Sequence, residues 1–85
     1  MNTGASTFVA RLGRAIRTRR KSLGFTEEGF ADHIGMNRTR YGIIERGKAH
    51  GLRILALDHI ARGLGLEVAD LVRKAEVRRR GPQRR

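Results

Sequence analysis

Apolar residues recur along this chain at spacings of three and four, interrupted by single glycines. Phe8, Leu12, Ala15, Ile16 and Leu23 fall on one helical face and predict a first helix over 8–23. Gly24 suits the left-handed residue that follows a helix end. Thr26 is a good N-cap for a second helix, whose apolar face is Phe30, Ala31 and Ile34. Glu27 and Glu28 then occupy its first turn, where the helix dipole favours acids. Gly35 breaks that helix. Asn37 caps a third, running to about Arg46, with Tyr41 and Ile44 as its buried stripe. A fourth covers 54–64, with Ile54, Leu57, Ile60, Ala61 and Leu64 facing inward, and a fifth covers 68–80, with Val68, Leu71 and Val72 inside. The single proline, Pro82, lies beyond the last apolar residue, and no strand-like alternation of useful length is present. The pattern therefore predicts an all-α fold of five helices. Residues 1–7 read as a flexible arm, 8–80 as one domain and 81–85 as a basic, disordered tail.

Length and charge narrow the class. A chain of 85 residues holds one modest core. Its 19 Lys and Arg against 8 Asp and Glu give a net charge of +11, which points to a polyanion, nucleic acid first. Residues 1–24 hold six basic residues and no acid, and Arg11, Arg14, Arg17 and Lys21 share one face of the first helix. There is no apolar run long enough for a bilayer span and no signal-peptide layout at the N-terminus. With no cysteine and three scattered histidines (His33, His50, His59), no metal site or cofactor is expected. An enzyme is not expected either, since no acid/base pairing is visible and a chain this short has little room for a deep pocket.

The function-bearing segment is the second helix, the Gly35 turn and the third helix. Two short helices joined by a tight glycine turn make a helix-turn-helix, whose second helix enters the DNA major groove. Its N-terminal residues here are Arg38 and Thr39, with Arg40 beside them. Arginine suits bidentate pairing with guanine, and threonine can bond a base edge or touch a thymine methyl. One turn on, Gly42 permits close approach to DNA, and Ile43 is a large apolar residue at a position that faces water unless it packs on thymine methyls.

The stretch from Leu12 to Val72 resembles the Cro/C1-type (XRE-like) helix-turn-helix family of transcriptional regulators. The matching pieces are LGRAIRTRRKSLGFTEEGFADHIG, MNRTRYGIIERG and LDHIARGLGLEVADLV. The resemblance implies a five-helix lambda-repressor-like domain, working as a homodimer on a palindromic operator in double-stranded DNA. Two reading helices would then meet half-sites about 34 Å apart. It implies base contacts from Arg38, Thr39, Arg40, Gly42 and Ile43, and phosphate contacts from Asn37, Arg17, Lys21, Lys48 and Arg46. It also implies a structural ion pair between Arg20 and Glu45. Leu55 and Leu66, at the edges of the inner stripes, are candidates for the dimer interface. RNA polymerase is a further candidate partner, and a bacterial, phage or plasmid-encoded cytoplasmic protein is the expected setting. Two departures stand out: Glu27 replaces the glutamine that commonly binds phosphate in the family, and Leu52 stands where a proline commonly precedes the fourth helix. NRTRYGIIERG also resembles the controller proteins of restriction–modification systems, with small phage and plasmid repressors fitting nearly as well. The rival reading is an antitoxin that binds both DNA and a toxin. RNA binding is disfavoured, because only four aromatics are present.

Overall fold

The computed structural model describes residues 4–76, and within them five helices and no strand. They are α1 (Gly4–Ser22), α2 (Glu27–His33), α3 (Arg38–Glu45), α4 (Ile54–Gly63) and α5 (Val68–Ala75). Helix α1 packs against both α5 and α3, α2 against α3, and α4 against α5. The core gathers one stripe from each helix: Leu12 and Ile16, Phe30 and Ala31, Tyr41 and Ile44, Leu57, Ile60 and Ala61, and Leu71 and Ala75. Phe30 is its hub, with ring centroids 5.3 Å from Phe25 and 5.4 Å from Tyr41. No helix of the described residues is long and apolar enough to cross a membrane.

Several boundaries and facings differ from the periodicity. Residues 4–7, expected in the arm, form the first turn of α1; they contain no proline to stop the helix extending backwards. Helix α5 ends at Ala75 instead of Arg80, and Glu76 is extended at ψ 146°. The side chain of Arg11 donates to the Ala75 carbonyl, so one of the terminal carbonyls finds a partner outside the helix. Arg19 does the same for α4, donating to the Leu64 carbonyl at 3.0 Å. Leu23 is exposed because α1 has already ended at Ser22 and the helical stripe no longer carries it inward. Ile54 is 63% exposed; it opens α4 one turn ahead of Leu57, where burial begins. The arm residues 1–3, the stretch 77–80 and the tail 81–85 lie outside the described residues.

Candidate nucleic-acid interface

The α2–turn–α3 unit is built by its caps. The Thr26 hydroxyl accepts from the Gly29 N–H at 2.9 Å and opens α2. At the other end, the Gly35 and Met36 N–H groups donate to the carbonyls of Asp32 and Ala31. Gly35 takes φ +70°, a left-handed conformation that a residue with a Cβ adopts only at a cost. Asn37 then opens α3, its side chain accepting from the Arg40 N–H at 2.9 Å. The turn is therefore closed by backbone bonds on one side and a side-chain cap on the other, which fixes the angle between the two helices. From the α4 side, the His59 ring nitrogen lies at the Ile34 carbonyl, a contact that helical spacing does not signal.

The inner side of α3 is anchored to α1. Arg20 Nε and Nη2 reach the two carboxylate oxygens of Glu45 at 2.6 and 2.9 Å, and Nη1 donates to the Phe25 carbonyl at 2.7 Å. The Tyr41 hydroxyl donates to the same carboxylate. Burial pushes the Glu45 carboxyl up, but the bonds from Arg20 and Tyr41 outweigh it and leave Glu45 below the ordinary glutamate range. Burial raises the Tyr41 phenol, and the bond to Glu45 raises it further, so the hydroxyl stays protonated and donates. Gly13 completes the contact: a Cβ there would stand 2.7 Å from the Ile44 carbonyl oxygen. The α1 backbone thus lies directly on the end of α3.

With that side fixed, the other side faces water. At 100° per residue, Thr39 and Ile43 occupy the middle of the outer face, with Arg46 on one flank and Arg40 on the other. All four are exposed, including Ile43 at 40%. Arg40 and Ile43 run into a groove continued by Lys48, His50, Leu52 and Arg53 of the α3–α4 loop. The periodicity gave His50 and Arg53 no part here, because a loop has no repeat to reveal which way its residues turn. On the opposite flank, Arg14, Arg17 and Arg46 line a cleft between α1 and α3 with Glu27 and Glu45. Lys21 is exposed in the last turn of α1 and does not line that cleft.

Gly42, Arg46 and Arg38, three expected contact residues, have neighbours that helical spacing does not signal. Gly42 is buried, not open to the outer face. An added Cβ there would meet the Arg46 guanidinium and would stand 2.6 Å from Glu27 Oε2. Its missing side chain makes room for an ion pair, Arg46 Nη1 to Glu27 Oε2 at 3.3 Å. Glu27 therefore holds Arg46. Arg38 is also engaged: its Nε and Nη2 donate to Asp32 Oδ1 and Oδ2 at 3.0 and 2.7 Å. No helical repeat signals a pair six residues apart across a turn. Of the two leucines assigned to an interface, Leu55 is 78% exposed. Leu66 is half-buried and packs against the core.

No family model matches the chain, and no curated protein does. Among solved structures, the chain is similar to the clp gene regulator ClgR from C. glutamicum, with a TM-score of 0.74 and 26% identity. The match covers 80% of this chain and 86% of that one. The fold of this chain is thus similar to that of a gene regulator over most of its length.

Proposed function

We propose that this protein is a transcriptional regulator that binds double-stranded DNA with α3 in the major groove. The observation that carries this reading is the outer face of α3. Thr39, Ile43 and Arg40 stand exposed there, between a cleft holding Arg14, Arg17 and Arg46 and a groove holding Lys48 and Arg53. A reading helix needs base-contacting side chains in the middle and phosphate-binding cations on both sides. The net charge of +11 and the similarity to a gene regulator support the same reading.

Arg38, Thr39, Arg40 and Ile43 read bases. Arg17, Lys48 and the Asn37 end of α3 meet the backbone, joined by Arg53, while Arg46 is held by Glu27. The buried position of Gly42 makes it a spacer under the Glu27–Arg46 pair, not a contact. The protein acts as a homodimer on a palindromic operator, with Leu55 in the interface, in the manner of Cro/C1-type regulators and restriction–modification controller proteins. A cytoplasmic setting and contact with RNA polymerase belong to this reading.

Selection of bound duplexes from a randomised pool at about 150 mM salt tests it, since specific affinity must survive the screening that removes nonspecific binding. A two-fold symmetric consensus is expected. Binding with no enriched motif, lost as salt rises, would leave only a nonspecific polyanion binder.

A further inference from the structure

Asp32 and Arg38 form a two-bond pair across the recognition turn, and neither residue is buried. Their side chains are 62% and 55% exposed for Arg38 and Asp32 respectively. A pair so open to water adds little to folding stability. What it does fix is the orientation of one guanidinium. Arginine has five N–H donors, and side-on pairing through Nε and Nη2 occupies two of them. Three remain: both on Nη1 and the second on Nη2. One from each Nη nitrogen projects along the end of the guanidinium, and this fork matches the O6 and N7 acceptors of guanine.

We propose that Asp32 is a positioning and specificity-determining residue: by holding Arg38 side-on, it presents the end-on fork to guanine and withholds the cation from phosphate. The proposal rests on the reading of α3 as the base-contacting helix. A guanidinium already matched by a carboxylate has little net charge left to attract the backbone, so it contributes weakly to binding on random DNA. A guanine offers two acceptors in the fork's own spacing and is bound without breaking the pair. Asp32 therefore lowers affinity for DNA in general and raises discrimination at one base pair. The proposal predicts effects of opposite sign on removing the carboxylate, which a merely structural residue would not give.

The test uses the full chain with Asp32→Ala, Asp32→Asn and Arg38→Ala. Each is measured on the selected duplex, on the same duplex with each guanine replaced in turn, and on random duplex across a salt series. Asp32→Ala is expected to lose about tenfold in preference at one guanine, the scale of a bidentate base contact. It should also bind random duplex several-fold more tightly at low salt, a gain that fades as salt rises. Asp32→Asn, which keeps one acceptor and loses the charge, should show the same gain on random duplex with a smaller loss of preference. In the Arg38→Ala background, Asp32→Ala should change no base preference. Unchanged guanine preference in Asp32→Ala overturns the proposal. So does a guanine preference that survives Arg38→Ala, which removes Arg38 from base reading while leaving the DNA-binding function standing. A wild-type protein without any base preference overturns that function as well.

Discussion

Helix α3 has a buried, inner arginine–carboxylate pair at its last residue and an exposed, outer one at its first, and the chemistry of the two is the same. On the inner side, Arg20 grips Glu45 through Nε and Nη2, with side-chain exposures of 6% and 3%. At the exposed first residue of the helix, Arg38 grips Asp32 through the same two nitrogens, but with exposures of 62% and 55%. The inner pair also satisfies its spare groups, with Tyr41 donating to Glu45 and Arg20 donating to the Phe25 carbonyl. The outer pair leaves donors free. Water decides the difference. Away from solvent, each charge depends on its partner, so the pair ties α3 to α1. In solvent, each charge is already hydrated, so the pair adds little stability and is free to serve recognition.

The largest expected effect comes from breaking the inner pair. Glu45→Ala leaves the Arg20 guanidinium buried without its counter-charge and should cost about 3–5 kcal/mol in urea unfolding. A loss near zero would mean that water reaches Arg20 and that the two sides of α3 are not different in kind. Next comes Gly13→Ala. The new methyl meets the carbonyl oxygens of Ile44 and Glu45, which are backbone and cannot swing aside. The expected cost is about 1–3 kcal/mol, the range for overpacking. Gly42→Ala offers the matched control on the outer flank. Its methyl meets the far ends of the Arg46 and Glu27 side chains, which can move, and alanine favours the helix. Its unfolding midpoint should not fall.

The inner pair also predicts an acid dependence. Glu45 has its carboxyl held lower in the folded state than in the unfolded chain, because the Arg20 and Tyr41 bonds overcome the opposing effect of burial. A carboxyl depressed on folding contributes stability that is full above its unfolded value, about 4.3, and is lost as pH falls through the lower folded value. The urea midpoint should therefore drop between neutral pH and about pH 3. Glu45→Gln should be less stable at neutral pH and should flatten that drop. An acid limb of the same depth in Glu45→Gln would place the responsible carboxylates elsewhere.

The same contrast explains what the sequence could and could not disclose. The inner side of α3 was legible because burial repeats: Tyr41 and Ile44 stand three apart, and Phe30, Ala31 and Ile34 answer them from α2 and its C-cap. The caps Thr26 and Asn37 were legible because few residue types satisfy a helix start. The Arg20–Glu45 pair came from the resemblance, not from spacing. The outer side was legible in composition and not in geometry. The basic stripe Arg11, Arg14, Arg17 and Lys21 reads as one face, yet Arg11 turns to the carbonyl end of α5, and Arg19, outside the stripe, turns to that of α4. Gly42 reads as a place for DNA to approach, yet its space is taken by two side chains from 4 and 15 residues away in sequence. Long charged side chains can reach several partners from one position, and no periodicity records which one they choose.

The smallest expected effect is the loss of the outer pair on folding. Asp32→Ala removes a carboxylate already in water and bonded to a guanidinium also in water. Arg38 regains hydration for what it loses, and no cavity forms. The thermal midpoint should move no more than replicate measurements do, at neutral pH and at moderate salt. That null result matters beside the binding measurements on the same variant. A protein equally stable with and without Asp32, but altered in base preference, separates recognition from folding at one residue. A substantial fall in the midpoint would instead show that the outer pair braces the α2–α3 turn, and the two sides of α3 would differ in degree alone.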